Sequence, residues 1–384
     1  MKVLMVNTPA SLSFRGGDLT QMWKTAAALR PLGVDVVESF DLQPNATGFD
    51  LAHVFNLRTI DVTLRQVRHL KEAGVPVVMS PIYLNPSMAL WGTRVIRQIF
   101  GTARGEEELP PLLDRLRARE LKIKRPGGAI WGAESQNRRQ PDFDERQREI
   151  LAHVDHLLPN SILEMSQLMR TLLVFDIPFT VVPYAADAGV FLDPDPEPFV
   201  AKYGLRDFVL QVGRIEGSKN QVMLAYALRD LDVPLVFIGS SQQSDYLQWC
   251  RVEGGKNLTV ISHLAHEELR AAYAAARVHA LPSWIETCGL VTMEAALANC
   301  DVVVSTAGYE VEYYRDLAYY CDPADVGSIR AAVVAALEGY DRSEARRRQL
   351  KELVMREYTW QVAAEATLRA YEAALRRVQS VARA

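Results

Sequence analysis

The chain has 384 residues, of which 49% are hydrophobic and 23% charged, with a formal net charge of -4 at pH 7. That length exceeds what one hydrophobic core usually serves, so two domains of roughly 150 to 200 residues are expected, and the composition excludes a disordered or fibrous chain. The weakly acidic balance argues against a nucleic-acid partner, which would require a basic domain.

Short apolar runs alternate with longer amphipathic ones, the pattern of parallel strands joined by crossover helices. KVLMV (2–6) reads as a buried strand, and its apolar stretch stops at Asn7 and Pro9, too soon for the core of a secretory leader. Asp18 to Leu32 reads as the next helix, ended near Gly33. VDVVESF (34–40), DLAHVF (50–55) and VPVVMS (75–80) read as further strands, with Val62 to Ala73 helical between the last two. Residues 91–150 break this rhythm and read as an insertion. It carries a basic run through Arg115, Arg117, Arg119, Lys122, Lys124 and Arg125, then Pro126-Gly127-Gly128 and a polar stretch from Glu134 to Gln140. The strand–helix pattern resumes at Asp155 to Asn160, where Ser161 and Glu164 have the spacing of a capping box.

The segment from Phe191 to Pro198 alternates aspartate, glutamate and proline and reads as a linker, because proline continues neither helix nor sheet. Beyond it come DFVLQVG (207–213), VPLVFIGS (233–240), NLTVIS (257–262), RVHALPS (277–283) and DVVVST (301–306), each followed by a helical pattern. The expected fold is α/β, two doubly wound Rossmann-like domains facing across a cleft, 1–190 and 199–357. Ligands of such sheets bind beyond the carboxyl ends of the strands. No window approaches the ~18 unbroken apolar residues of a membrane span. Cys250, Cys288, Cys300 and Cys321 match no metal or CxxC spacing. They read as reduced thiols in a soluble, cytoplasmic protein.

Three stretches fall at carboxyl edges. In Gly213-Arg214-Ile-Glu-Gly-Ser-Lys219, a strand ends and two cations follow, suited to phosphate: arginine by a two-donor fork, lysine as a point charge. A solvated loop is the other reading. In Pro282-Ser-Trp-Ile-Glu286-Thr-Cys288-Gly289-Leu290-Val-Thr-Met-Glu294, Glu286 falls in a loop and Glu294 a turn inside the following helix. The backbone N–H groups around Gly289 and Leu290, at the helix N-terminus, suit a diphosphate, and Glu294 a pair of ribose hydroxyls. Here the plainer reading is a solvated loop glutamate and a glutamate favouring the helix dipole. Gly16-Gly17 after the first strand suits close approach of a ligand, or a turn needing positive φ. His53 closes its strand, as a core or capping histidine or as a group on the sugar side. The pairs His153/His156 and His263/His266 lack a third ligand, so no metal site is expected.

Taken together, Gly213-Arg214 with Lys219, Pro282-Ser283, Glu286-x7-Glu294 around Gly289-Leu290, and Ala295 resemble glycosyltransferase family 4, retaining enzymes of the GT-B fold. Asn160-Ser161, Val182-Pro183, Asp187, Phe191, Tyr358-Thr-Trp360 and Tyr371 follow in the family's order. The resemblance implies a metal-independent hexosyltransferase with no cofactor, using a UDP- or GDP-sugar and a glycan or lipid-linked acceptor in polysaccharide biosynthesis. Arg214, Lys219 and Glu286 would be catalytic. Gly16, Gly17, Gly213, Cys288, Gly289, Leu290 and Glu294 would line the donor, and 358–384 would form a helix crossing back to an acceptor-binding N-terminal domain. The family's histidine after the fourth strand is absent, and Ser80 or Tyr83 would take its space. Thr287-Cys288, Asn299-Cys300-Asp301 and Tyr184-Ala185-Ala186 also depart from the family pattern. Two other functions on the same fold are an epimerase and a non-catalytic nucleotide-sugar-binding subunit. For the Arg115–Arg125 run, a solvated face and a contact with anionic lipid at the inner membrane surface are the two readings.

Overall fold

A computed structural model of the protein describes residues 1–13, 16–85, 87–100 and 142–383. The Arg115–Arg125 and Glu134–Gln140 runs lie outside the described residues. The chain divides into two compact units: Met1–Leu84 with Arg139–Asp187 and Leu353–Ala384, and Asn85–Arg138 with Ala188–Glu352. Among the described residues no helix is long and apolar enough to cross a membrane.

The first unit is built on five parallel strands, β1 (Lys2–Val6), β2 (Asp35–Ser39), β3 (Leu51–Phe55), β4 (Val77–Ser80) and β5 (His156–Leu157), in the order β2-β1-β3-β4-β5. The run LAHVF is buried at every position, as a central parallel strand covered on both faces must be. On one face Leu19, Met22 and Ala26 of the helix Gly17–Leu29 pack with Ala363, Ala366, Ala370, Tyr371 and Ala374 of the C-terminal helix Trp360–Arg383. Alanines at helical spacing let these helices approach closely. On the other face Leu64, Val67 and Leu70 of Ile60–Glu72 pack with Leu168 and Leu172 of Ile162–Leu172. The Ser161 hydroxyl accepts from the Glu164 amide at 2.9 Å, the expected cap. The buried Glu164 carboxylate reaches further than a capping box requires, accepting from the amides of Asn160 at 2.5 Å and Tyr83 at 2.6 Å.

The second unit has six parallel strands, β6 (Phe208–Val212), β7 (Leu235–Ile238), β8 (Leu258–Ile261), β9 (Ala276–Leu281), β10 (Asp301–Ser305) and β11 (Tyr319–Cys321), ordered β11-β10-β9-β6-β7-β8. The three-residue β11 has no apolar run to announce it in the sequence. Asn299 stands at φ +71, taking the left-handed position a glycine would otherwise fill before β10. Within residues 91–150, read as an insertion into the first domain, the described parts separate. Phe143–Leu151 packs in the first unit, whereas Ser87–Phe100 belongs to the second, where Ile96 and Phe100 enter the core beside Val209 and Trp284. The reason is local: Gly92 lies against the Trp284 ring, where a Cβ would fall 2.0 Å from the indole, so only glycine lets this helix settle there.

In both sheets the first strand sits inside the order, β1 between β2 and β3 and β6 between β7 and β9. Chain connections leave in opposite directions at these points, opening a crevice at the carboxyl ends of the strands.

Candidate functional site

The switch point of the second sheet brings together the loops that follow β6 and β9. After β6, Arg214 projects with its side chain 73% exposed, tethered by a 3.2 Å ion pair to Glu216. The next residues form a 3-10 turn, Gly217–Lys219, and Asn220 at φ +61 ends it. The Asn220 amide donates to the carbonyls of Pro282 and Pro323, at 3.0 and 2.9 Å, tying the turn to the loop after β9. Trp284, fully buried, adds a backbone bond of 3.0 Å to the Ser218 carbonyl.

That tie sets the central contact of the site. The Lys219 ammonium pairs with Glu286 Oε1, which also accepts from the Ser283 hydroxyl at 3.0 Å. The two charged side chains are 22% and 11% exposed, so the pair is largely withdrawn from water. Beyond Glu286 the chain turns through Gly289, at φ +62, into the helix Leu290–Leu297. A Cβ there would be strained by that φ and would meet Thr292, Leu281 and Glu310 at 2.9 to 3.3 Å. The first-turn amides of a helix have no intrahelical partner and present partial positive charge to an anion. One turn on, the half-buried Glu294 accepts from the Tyr273 hydroxyl at 2.9 Å. Burial and the Glu294 charge together push the Tyr273 phenol well above its usual range, so it stays a donor.

Arg214, Lys219, Glu286, Gly289, Leu290 and Glu294 thus gather on two loops and one helix start. Cys288 differs. Its thiol is fully buried and raised well above the ordinary thiol range by that burial, and its carbonyl is held, with that of Gly289, by the Tyr314 hydroxyl. The side chain belongs to the core and presents nothing to a ligand. Gly213 supplies the turn out of β6, at φ +138.

In the first unit, Gly16 has extended backbone, φ -112 and ψ 179, and caps Gly17–Leu29, so a positive-φ turn is not the reason for the glycine pair. A Cβ on Gly17 would meet nothing within 4 Å, leaving the helix start open. His53 does not sit at the strand edge. It lies inside β3 opposite Met5 and Val78, 1% exposed, with Nδ1 2.7 Å from the Tyr371 hydroxyl and Nε2 2.9 Å from Ser80. Burial lowers its imidazole to about 3, so it is neutral. Ser80 is consumed by this bond and Tyr83 is 2% exposed, its amide on Glu164. His53 is thus the core histidine of the two readings, and its bonds tie Ser80 of β4 to Tyr371 of the C-terminal helix, while Tyr83 is buried in the core on the opposite face of the sheet.

Sequence reasoning gave no role to Tyr273, Trp284 or Glu310. Glu310 opens the short helix Glu310–Tyr314, and the preceding loop is bonded to the site by the Tyr309 amide on the Glu286 carbonyl at 3.0 Å. Its signal was an acid two residues after a glycine, in the loop past a strand end, a pattern too common to single out. Among the described residues no cluster of three or more His, Cys, Asp or Glu side chains could hold a metal ion.

A family model described as "Glycosyl transferases group 1" matches residues 197–352, the stretch that contains this site. Glycogen synthase of Mycobacterium tuberculosis is 32% identical over 177 residues, 44% of this chain and 43% of that protein. The O-antigen chain mannosyltransferase B of Escherichia coli is 30% identical over 187 residues, 46% of this chain and 49% of that one. The chain thus matches about half the length of these curated relatives. Among solved structures, sucrose-phosphate synthase from Thermosynechococcus elongatus superposes with a TM-score of 0.70 at 17% identity, covering 99% of this chain and all of that one. Anabaena HepE in complex with UDP gives 0.71 at 13% identity over 97% of this chain and all of that one. At these identities the likeness establishes the fold: two Rossmann-like parallel-sheet units of the GT-B type.

Proposed function

We propose that this chain is a glycosyltransferase of family 4. It moves a sugar from a nucleoside-diphosphate sugar to an acceptor hydroxyl with retention of anomeric configuration and without a metal ion. The observation that carries the reading is the convergence of Arg214, the Lys219–Glu286 pair and the start of Leu290–Leu297 at the β6/β9 switch point, with Glu294 behind them. The match of residues 197–352 to a glycosyltransferase family supports it, as does the UDP held by a structural neighbour.

In the proposed reaction, Arg214, Lys219 and the helix-start amides take the diphosphate, and Glu294 takes the ribose hydroxyls. The bond from the sugar's anomeric carbon to the phosphate oxygen breaks, and negative charge grows on the diphosphate beside those donors. Electrostatic preorganisation of this kind is usually the largest single contribution to catalysis. The acceptor oxygen bonds to the same face of the anomeric carbon and passes its proton to the departing phosphate oxygen, so the nucleoside diphosphate leaves and no enzyme nucleophile is needed. A glycan or lipid-linked saccharide is the proposed acceptor, and GDP- or UDP-sugars are the proposed donors.

The test is incubation with UDP-glucose, GDP-mannose and ADP-glucose, with saccharide acceptors, in the presence and absence of chelator. Release of nucleoside diphosphate that depends on acceptor, unaffected by chelator and giving a product of unchanged anomeric configuration, is expected. Donor binding with no release for any acceptor would instead indicate a non-catalytic binding subunit, and a strict metal requirement would overturn the role given to Arg214 and Lys219.

A further inference from the structure

Glu310 is the most anomalous ionisable group of the second unit. It is 0% exposed, and neither carboxyl oxygen has a hydrogen-bond partner among the described residues. Buried polar groups are almost always paired, so such a group needs an explanation. Its surroundings supply one. Oε1 lies 3.3 Å from where a Gly289 Cβ would stand, and the adjoining Tyr309 amide holds the backbone of Glu286. Glu310 therefore lies against the two residues that border the proposed diphosphate site.

We propose that Glu310 is a positioning residue for Glu286: its carboxyl donates a hydrogen bond to the Glu286 carboxylate when a bound sugar diphosphate draws the Lys219 ammonium away. The inference rests on the glycosyltransferase reading of this site. In the structure, Glu286 Oε1 holds both Lys219 and the Ser283 hydroxyl. An incoming diphosphate competes for that ammonium and brings its own negative charge close to the Glu286 carboxylate. A second ionised carboxylate there would repel the donor; an un-ionised one offers an O–H to Glu286 without adding charge. Burial, and next the neighbouring Glu286 charge, hold Glu310 well above the usual carboxyl range, against the opposing pull of Lys219. The other titratable groups that feel Glu310 are Cys288, Tyr314, Tyr320 and Cys321, all raised by burial and so uncharged at neutral pH. No proton changes hands in this step; the hydrogen bond alone forms.

The experiment measures donor affinity and turnover with UDP-glucose and GDP-mannose between about pH 6 and pH 9 for the wild type, E310A and E310Q. The wild type should lose affinity as pH rises and Glu310 ionises. E310A should raise the donor KM by roughly tenfold at neutral pH, the scale of one lost hydrogen bond to a charged group. E310Q, whose amide still donates, should recover most of that loss and abolish the alkaline decline. A purely structural role would lower the melting temperature of E310A without creating a pH dependence that E310Q removes. Should E310A fail to fold, the pH profile of E310Q decides. Wild-type-like KM in E310A, or the same alkaline decline in E310Q as in the wild type, overturns the proposal while leaving the transferase reading intact. If the wild type binds neither donor, the transferase reading fails and this inference with it.

Discussion

Replacing Lys219 with methionine should separate two roles that the Lys219–Glu286 pair combines. Exposed ion pairs contribute about 0 to 1 kcal/mol, whereas breaking a fully buried one costs about 3 to 5 kcal/mol because a charge is left without its partner. With side chains 22% and 11% exposed, this pair lies between those limits. Glu286 keeps its bond from Ser283 when the lysine is lost. A destabilisation of about 2 kcal/mol follows, or roughly 4 to 8 °C in melting temperature for a unit of this size. K219M/E286Q should restore most of that stability, since no stranded carboxylate remains. Activity should behave differently. A charge-assisted bond of about 1.5 to 3 kcal/mol to the departing diphosphate corresponds to roughly a 10- to 150-fold loss of kcat/KM, which the double mutant cannot regain. Calorimetric melts and donor-dependent nucleotide release on the four members of the cycle give the answer. If E286Q rescues the activity of K219M, the lysine serves only to hold the glutamate, and its assignment to the leaving group is refuted.

Gly92→Ala places a methyl group inside the Trp284 ring, so it should destabilise the second unit by about 1 to 3 kcal/mol and alter tryptophan fluorescence. Because Trp284 holds the Ser218 carbonyl beside Lys219, its donor KM should rise as well. An unchanged melt would show that Ser87–Phe100 does not dock as described. His279 is fully buried with neither ring nitrogen partnered among the described residues, and burial lowers it to about 3. Its folded-state value lies below the unfolded 6.5, so stability is complete above about pH 6.5 and is lost toward pH 3, by about 1.4 kcal/mol per pH unit. His279→Phe should be at least as stable as the wild type at pH 7 and gain about 2 kcal/mol on it by pH 5; parallel melting curves against pH would contradict this. Cys250, Cys288, Cys300 and Cys321 are all buried, so a bulky thiol reagent should label none of them in the native protein and all of them in denaturant. Native labelling of Cys288 would return it to the ligand side of the site.

The strands were legible because central parallel strands must be apolar on both faces, and LAHVF, FVLQV and DVVVS carry that signal without long-range information. The carboxyl-edge position of Arg214, Lys219, Glu286 and Glu294 followed from counting residues past those strands. What the residues do to one another was not legible. Lys219 and Glu286 are 67 positions apart, and nothing in either loop announces that one neutralises the other. His53 shows the same limit more sharply. A histidine near a strand end reads as core, cap or ligand-side group, and only Tyr371, 318 positions later, shows which contact holds it.

The helix Ser87–Phe100 shows how a stretch read only as part of an insertion into one domain can belong to the other. Amphipathic spacing states that one face is buried but not which surface covers it, and a break in strand–helix rhythm suggests an insertion into the domain already begun. The deciding residue is Gly92, an unremarkable helical glycine until Trp284 is known to lie against it. Trp284 was in turn conspicuous only as an apolar neighbour of Glu286, yet its backbone fixes the turn carrying Lys219 and its ring receives this helix. The packing of a segment from the first quarter of the chain is therefore linked mechanically to the cation proposed to stabilise the leaving group. A change in that helix should be felt as altered donor binding as well as altered fold.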